Sequence, residues 1–516
     1  MRPRLVPVIE IAVSFAAAAL VAWLSTFIKV NPLDRVGQVS GLAAIQIRYL
    51  ACAIPVLVAV AVSTRYRDGR WFPITSRMAC AALAGLASGF VAGGILVALR
   101  GTPFCLNAGA GDSDILVMWA NAYHRGDATQ YPPAFYPPLF PQLLRYYAEA
   151  TDQPAVYALK DLQILFTATA GPVAYCAWRL ILRPGWALGV GVVAAMVIID
   201  PYKPYGAFVL VVFVPIVIRY FARLREAGAK HPYELVRTGV IYGLVLGVLC
   251  LMYSGWFRWA GAGLVIAGCV VFPWRRWKHG AVLVAVTLVV ILIVDWSYIT
   301  GLLGFAQKLQ QAEQASGIPH PLIADEYIYF DSVAEPTFFT LWKGDLPGTT
   351  VEADWPPLGE LGGLGLFTIA LFAGTGTALA LGRRRTDIIT MVSVLGAIWV
   401  QRFWTARAMF KTKLVQLWPR TTLALIYLFV LLTGFAAYFI YERKLARAGE
   451  DSPLRAPSSV AGALVALTLL FGSMGSSISN RYMPYSSLPR TTGWLAFLAH
   501  DAWQKVKAAP ETAPKL

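Results

Sequence analysis

Residues 78–99 read MACAALAGLASGFVAGGILVAL, and no charged side chain interrupts them between Arg77 and Arg100. A membrane-spanning helix needs about 20 mostly apolar residues, because it crosses about 30 Å of hydrocarbon at about 1.5 Å per residue. Backbone polar groups inside lipid have no water to bond, so such a run has to be helical. The stretch therefore predicts a transmembrane helix, and similar stretches recur along the whole chain.

The composition of the chain agrees with this prediction. Hydrophobic residues make up 57% of the 516 residues and charged residues 14%, with a mean hydropathy of +0.58. Soluble domains usually have roughly 45–50% and about 25%, so the sequence predicts an all-α polytopic membrane protein. The net charge of +16 comes from Lys and Arg in the gaps between apolar runs, as in cytoplasmic loops, and not on a soluble basic module. We therefore expect membrane lipids as partners and no nucleic acid.

Thirteen apolar runs, each bounded by charge, Pro or Gly, predict a bundle of about 13 transmembrane helices. They are centred near residues 18, 53, 88, 171, 192, 212, 246, 265, 291, 371, 395, 431 and 468. The shortest run, at about 260–272, is also compatible with a re-entrant segment, which would invert everything after it. If the N-terminus is cytoplasmic, the inner loops are rich in Arg and Lys on both sides of this run, which favours thirteen spans.

This topology places two large loops outside the membrane, at about 100–160 and 305–360. We expect a catalytic transmembrane region over residues 1–477 and a short extracytoplasmic tail over 478–516. The protein is predicted to be a multi-pass plasma-membrane protein with its active site and C-terminus outside. Five of the six cysteines lie in apolar runs and the five histidines are scattered, so we expect neither a disulfide framework nor a metal site, and no cofactor.

The first outer loop contains GDSDILVMWANAYHRGDATQYPPAFYPPLFP, residues 111–141. Residues 114–124 have the periodicity of an amphipathic helix that would lie along the membrane surface, with Trp119 in the interface. Asp112 or Ser113 could cap the start of this helix, and Asp112 or Asp114 could act as a general base toward an amphiphilic substrate; the two roles can hold together. The prolines that follow predict a stiff extended wall. Its Tyr131 and Tyr136 suit either sugar contact or an interfacial aromatic belt.

Two further segments on the outer side, the short turn at 200–205 and the loop at 401–420, mix cations with aromatic side chains. The basic segment at 401–420 violates the positive-inside rule, which indicates a site for a lipid phosphate, binding to bulk anionic head groups, or an error in the predicted topology. Asp295 stands near the middle of its apolar run, where an acid is expected to be functional or paired. The candidate phosphate ligands are Arg402, Arg407, Lys411 and Lys413, with Lys203 assisting, and the candidate sugar contacts are Tyr131, Tyr136, Tyr202 and Trp355.

Together these features resemble the GT-C superfamily of polyprenyl-phosphate-sugar glycosyltransferases. Four segments are similar to the galactan arabinofuranosyltransferase family of the actinobacterial cell wall: Gly111-Asp112, Tyr136-Pro137-Pro138, Tyr202-Lys203-Pro204-Tyr205 and the stretch from Thr412 to Arg420. The likeness extends over most of the chain in segments. Members of that family continue into a sizeable soluble region, whereas this chain ends about forty residues after its last predicted span.

The resemblance implies transfer of an arabinofuranosyl group from decaprenyl-phosphate-arabinose to a hydroxyl of a polysaccharide acceptor, galactan. It assigns the base to Asp112 or Asp114, with inversion at the sugar. A donor with one phosphate needs only a cluster of Arg and Lys side chains and no divalent metal. Two alternatives remain: another GT-C transferase, of the mannosyl or aminoarabinose type, and a flippase or transporter of lipid-linked saccharides, which the position of Asp295 favours.

Overall fold

The computed structural model describes residues 5–65, 71–126, 136–303, 366–412, 418–448, 456–486, 492–510 and 514. Within these ranges every regular element is a helix. The helices are α1 (Val6–Thr26), α2 (Arg35–Arg65), α3 (Phe72–Ala98), α4 (Gly111–Arg125), α5 (Leu139–Thr151), α6 (Ala155–Trp178), α7 (Pro184–Trp186), α8 (Val193–Val197), α9 (Pro204–Glu226), α10 (Pro232–Met252), α11 (Gly255–Val271), α12 (Trp277–Val294), α13 (residues 296–303), α14 (Leu366–Gly382), α15 (Thr386–Thr412), α16 (Trp418–Ala448), α17 (Pro457–Arg481) and α18 (Thr492–Ala508).

Eight of the described helices are long and apolar enough to cross a membrane. They are α1, α2, α3, α9, α10, α12, α16 and α17. The protein is thus an all-α, multi-pass membrane protein, as the composition predicted. Every predicted span centre falls in a helical segment, and the one near residue 192 ends a π-helical turn, Ala187–Val192, between α7 and α8. The number of thirteen spans stays a prediction, because several of these helices are short or less apolar.

The chain divides into two compact units, and the boundary lies inside α9. Unit 1 comprises Met1–Val212 and Ala448–Leu516, and unit 2 comprises Phe213–Arg447. In unit 1 the central helix is α3, the helix of the quoted apolar stretch, and almost all of its residues after Met78 are buried. The small side chains of that stretch are therefore packing surface for other helices.

Glycines at every fourth position of α3 bring it into close contact with α1. A Cβ atom added to Gly85 would lie 2.0 Å from the carbonyl oxygen of Ser14, and one added to Gly89 would lie 2.8 Å from that of Ala18. On the α6 side of α3, a Cβ atom on Gly171 would lie 2.1 Å from the carbonyl oxygen of Ala84. Small residues at such contacts allow helix backbones to approach closely, which is how helices pack when lipid supplies no hydrophobic driving force.

A buried acid marks one end of unit 1, which we call the Glu10 end. Glu10 in α1 is only 4% exposed and accepts hydrogen bonds from Tyr175 Oη at 2.6 Å, Arg179 Nε at 2.9 Å and Arg77 Nε at 2.5 Å. A buried carboxylate is tolerated only when it is paired and hydrogen-bonded. Because Arg77 begins α3 and Arg179 follows α6, these bonds show that α6 runs antiparallel to α1 and α3.

At the opposite end of unit 1 the loops are tied together. Arg100 donates to the carbonyl oxygen of Thr26 at 3.2 Å, which joins the C-terminal ends of α1 and α3. Gln38, near the start of α2, donates to the carbonyl oxygen of Pro484, after α17, at 2.8 Å. We call this the Asp112 end, since α4 begins here. Exposed tryptophans mark both ends of the unit, Trp71 before α3 and Trp23 late in α1, as in the aromatic belts of membrane proteins.

The tail predicted over 478–516 contains more structure than the sequence indicated. Helix α17 extends to Arg481, and a 17-residue helix, α18, follows within the same unit. The carbonyl oxygens of Leu495 and Ala499 accept hydrogen bonds from the N–H of Asn107 and the hydroxyl of Thr102, each at 2.8 Å. Helix α18 thereby holds the loop that leads from α3 to α4.

In unit 2, α10 packs on α12 through a second glycine series. Cβ atoms added to Gly239, Gly243 and Gly247 would each come within 3.0 Å of a valine side chain of α12. The exposed Trp277 and Trp296 stand at the two ends of α12. Their separation of 19 residues corresponds to about 28 Å along a helix, close to the thickness of the hydrocarbon layer.

Candidate active site

Helix α4 starts from a strained turn and is not capped by a side chain. Asn107, Ala108, Gly109 and Gly111 have φ of 71°, 48°, 76° and 55°, in the left-handed region that favours glycine. Ala110 takes the N-cap position, and no side-chain cap bond is formed. The hydroxyl of Ser113 instead donates to the carbonyl oxygen of Leu106 at 3.0 Å. The capping interpretation of Asp112 is therefore wrong, and its carboxylate has another partner.

That partner is Lys203, which forms an ion pair with Asp112. The two side chains come from elements far apart in sequence, the first turn of α4 and the short turn before α9. Both are accessible, because the Asp112 side chain is 39% exposed and that of Lys203 is 24% exposed. The ammonium of Lys203 also lies 5.4 Å from the centre of the Tyr202 ring, within the range of a cation–π contact. Structure thus brings together three residues that the sequence selected.

The turn that carries Lys203 is fixed by Asp200. Its Oδ1 atom accepts a hydrogen bond from the N–H of Tyr202 at 3.0 Å and another from the hydroxyl of Tyr482 at 2.9 Å. The first bond is an Asx-type contact that stabilises a tight turn. The second joins this turn to the residue that follows α17. Asp200 therefore holds the backbone of the turn from two sides.

A buried amide connects the two halves of the site. Gln163 of α6 is fully buried, accepts from the N–H of Leu106 at 3.0 Å, and donates to the carbonyl oxygen of Tyr202 at 3.0 Å. Asn107 adds a parallel link, since its Nδ2 atom donates to the hydroxyl of Tyr202 at 3.0 Å. The loop before Asp112 and the turn before Lys203 are therefore held at a fixed separation.

The residues that build this frame are not among those that the sequence pattern indicated as a site. They are Asn107, Gln163, Asp200 and Tyr482. An amide such as Gln163 inside a mostly apolar run is a signal that could have been used, because a buried polar group needs partners. The contact between Asp200 and Tyr482 had no such signal, since 282 positions separate them.

Aromatic side chains from the segments that flank the site pack on one another. Tyr136 and Tyr205 share a hydroxyl–hydroxyl hydrogen bond of 2.5 Å, and the ring of Tyr205 stacks on Phe140 at 4.3 Å between centroids. Trp119 packs on Tyr136 at 4.2 Å and is only 4% exposed, so its ring contacts protein, and its position in the membrane interface stays a prediction. Tyr136 is thus fixed by its neighbours, and Leu139–Thr151, which the proline-rich pattern did not predict as helical, forms α5.

The other predicted residues divide into three groups. Asp114 is exposed, one residue beyond the buried Ser113. Arg407 and Lys411 lie in α15, where only their backbone is described. Residues outside the described ranges are Tyr131, Trp355, Lys413 and the whole of the predicted outer loop at 305–360. Their assigned roles stay predictions.

Arg402 belongs to unit 2 and is 1% exposed. Its guanidinium donates to the hydroxyls of Thr421 and Thr422, at 2.8 Å and 2.7 Å, and so joins α15 to the start of α16. The charge of a guanidinium cannot be removed by deprotonation, and these bonds satisfy part of its donor set. The role of Arg402 toward a donor phosphate also stays a prediction.

Asp295 lies at the end of α12, as its C-cap residue, and not in the middle of the span. The side chain is fully buried. Neither carboxylate oxygen accepts a hydrogen bond from an N–H or O–H group within the described part of the chain, and the thiol of Cys250 lies beside it. A buried acid of this kind is a functional candidate in a membrane protein.

Comparison with known proteins adds no family to this geometry. No model of a protein family matches the chain, and no curated protein matches it. Within the described residues, no group of three or more His, Cys, Asp and Glu side chains is placed to hold a metal ion. The geometry and chemistry of the site are therefore what indicate the function.

Proposed function

We propose that this protein is a membrane glycosyltransferase that transfers an arabinofuranosyl group from decaprenyl-phosphate-arabinose to a hydroxyl of galactan. The observation that carries the proposal is the accessible ion pair between Asp112 and Lys203 at one end of unit 1. An acid that can take a proton and a cation that can hold a phosphate are the two groups the reaction requires. Both stand at helix ends, where the head group of an amphiphilic donor would be found.

The chemistry is a single displacement with inversion at the sugar. The acceptor hydroxyl gives its proton to the Asp112 carboxylate while its oxygen forms a bond to the anomeric carbon of the donor. The bond between that carbon and the phosphate oxygen breaks, and decaprenyl phosphate leaves with the electron pair. Lys203 offsets the charge that develops on the leaving phosphate. The step balances without a metal or redox cofactor.

The charges of unit 1 support an extracytoplasmic location for this reaction. Around the Glu10 end the described residues include Arg65, Arg77, Arg179 and Arg183, against the single buried acid. The positive-inside rule places such an end in the cytoplasm. The Asp112 end would then face the outer side of the plasma membrane, with the N-terminus inside and α18 outside.

Unit 2 has a basic end of the same kind. Arg225 donates to the carbonyl oxygen of Arg384 at 2.8 Å, and Arg276 donates to that of Gly228. Three arginine-rich loops therefore meet at one end of this unit, as the alternating topology requires. This arrangement supports the spans of unit 2 within the proposed GT-C-like bundle of about 13 spans.

The proposal is tested in membranes supplied with labelled decaprenyl-phosphate-arabinose and a galactan acceptor. Asp112→Asn is expected to lower the initial rate by about 10²- to 10⁴-fold, the usual contribution of a general base. Asp114→Asn and the double variant decide between the two acids. Asp152→Asn, which removes a negative charge from the same end of unit 1, is the matched control. Full activity of the double variant at equal protein level would overturn the assignment.

Two alternatives are separated by their substrates. A panel of polyprenyl-phosphate sugars, including mannose and aminoarabinose donors, distinguishes an arabinosyl transferase from another GT-C enzyme. The buried Asp295 is the observation that favours a flippase of lipid-linked saccharides. Movement of a labelled lipid-linked sugar across proteoliposomes, lost in Asp295→Asn and retained in Asp112→Asn, would favour that function.

A further inference from the structure

In the candidate site, the carboxylate of Asp112 competes with an incoming phosphate for the ammonium of Lys203. The carboxylate of Asp112 occupies the ammonium of Lys203, and a phosphate is the anion that the proposed donor would bring to that ammonium. Resting on the proposed function, we infer that an incoming phosphate group displaces Asp112 from Lys203, so that the carboxylate becomes available as a base only after the donor is bound.

The ion pair between Asp112 and Lys203 can open at small cost in free energy. Both side chains are partly exposed, and exposed ion pairs contribute little to stability because water screens them and the side chains lose freedom on pairing. Lys203 carries its charge on a flexible four-carbon chain, which can turn toward a new anion. An ion pair buried like that of Glu10 would lack this freedom.

The surrounding hydrogen bonds hold the backbones of the loop before α4 and the turn before α9 in place while Lys203 changes its partner. Gln163 joins Leu106 to Tyr202 through two 3.0 Å hydrogen bonds, and Asp200 holds the backbone N–H of Tyr202. The loop before α4 and the turn before α9 therefore cannot separate easily. A phosphate that enters between them finds the backbone that carries Lys203 at a fixed place, and the released carboxylate stays within reach of the reacting acceptor.

The exchange has a consequence for the order of events. While Lys203 pairs with Asp112, the carboxylate is stabilised in its charged form and is a weaker base toward an alcohol. When a phosphate takes over the ammonium, this stabilisation is removed. Proton removal from the acceptor hydroxyl would thus follow donor binding, and Asp112 would not act as a base while the donor is absent.

The test measures binding, without catalysis, of decaprenyl phosphate to the purified full-length protein in nanodiscs. Lys203→Met should weaken binding by about tenfold, and Asp112→Asn should tighten it by about tenfold, because the competitor has been neutralised. In the Lys203→Met background, Asp112→Asn should have no further effect. Asp152→Asn is the control for a change in the overall charge of this end.

The double variant makes the inference falsifiable. If Asp112→Asn tightens binding equally when Lys203 is absent, the acid acts by simple repulsion and the exchange is overturned. If Lys203→Met weakens binding while Asp112→Asn has no effect, the exchange fails but the donor site of the proposed function stands. If decaprenyl phosphate does not bind, or binds without any dependence on Lys203, both fail.

A parallel titration with inorganic phosphate identifies the source of the anion. We expect it to need a concentration at least about 100-fold higher, because each buried methylene of the lipid adds affinity. An equal affinity for inorganic phosphate, with the same pattern among the variants, would support the exchange and would overturn the lipid-linked donor.

Discussion

The hydroxyl of Tyr482 donates a 2.9 Å hydrogen bond to Oδ1 of Asp200, although 282 positions separate the two residues. The bond joins the segment after α17 to the turn that presents Lys203. The segment that follows α17 therefore takes part in shaping the candidate site, whose other residues lie in the first half of the chain.

Tyr482→Phe is expected to loosen this turn without unfolding the protein. Loss of one hydrogen bond is worth about 1 kcal/mol, or about fivefold in an equilibrium constant. We expect decaprenyl phosphate binding to weaken by about that factor. Tyr485→Phe, at a tyrosine whose side chain is 52% exposed, is the control. Equal binding by both variants and the wild type would contradict the anchoring role.

Gln163→Leu should destabilise unit 1, because it leaves the N–H of Leu106 and the carbonyl oxygen of Tyr202 without their present partner. A buried polar group that loses its partner costs about 1–3 kcal/mol. Thermal unfolding in detergent would detect a lower midpoint. Gln504→Leu on the exposed side of α18 should change it little, and a similar loss in both variants would argue against the bridge.

Two Gly→Ala substitutions in unit 2, one in α10 and one in α11, are expected to change the stability of the protein differently. A methyl group at Gly243 would lie 2.6 Å from Cβ of Val290, so Gly243→Ala should lower stability and protein yield. Gly261 in α11 has no neighbour within 4 Å, so Gly261→Ala should be neutral or stabilising by about 0.5–1 kcal/mol. A stable Gly243→Ala variant would show that α10 and α12 are not packed as described.

A histidine makes the attachment of α18 sensitive to pH. His500 Nε2 lies 2.8 Å from the carbonyl oxygen of Ala98, and burial, with help from the nearby Lys160, lowers the pKa of His500 below its ordinary 6.5. The neutral ring is the form that fits, so its contribution to stability is complete above pH 6.5 and is lost as the pH falls through the lowered pKa.

Amide hydrogen exchange of α18 at pH 7.5 and pH 5.5 measures this effect. After correction for the intrinsic pH dependence of exchange, protection should be lower in acid in the wild type. His500→Gln keeps a donor for Ala98 but does not titrate, so its protection should not change with pH. A wild-type helix equally protected at both values would contradict the prediction.

Membrane orientation can be tested with single cysteines in a background without the native ones. Asp152 follows α5 at the Asp112 end, and Gly185 is exposed beyond α6, at the Glu10 end. In intact cells an impermeant maleimide should label Asp152→Cys and not Gly185→Cys. The reverse pattern would place the candidate site in the cytoplasm.

The sequence predicts features that depend on neighbouring residues better than features that depend on contacts between distant segments of the chain. Apolar run length predicted a helical segment at each of the thirteen centres, because the membrane imposes both helix length and internal hydrogen bonding, but it did not predict α5 or α18. Residue chemistry also selected Asp112, Lys203 and Tyr202 as candidates. It could not show that the first two form a pair, since the turn that aligns them depends on Gln163 and Tyr482 from distant helices.

Local patterns do not show where packing buries a side chain. Trp119 has the spacing of an interfacial residue and is buried against Tyr136, because α5 covers that face of α4. The sequence likewise did not show that Asp112 pairs with Lys203 and does not cap α4. This outcome depends on a left-handed turn that starts at Asn107, a residue type that tolerates this conformation.

The buried Glu10 also bears on how the protein is made. Its first arginine partner is 67 positions away and its second is 169 positions away. A ribosome that has just released α1 to the membrane has therefore not yet synthesised either cation. With the N-terminus inside, as proposed, α1 enters the membrane before either arginine partner of Glu10 is available, so its final packing against α3 and α6 would follow the insertion of α6.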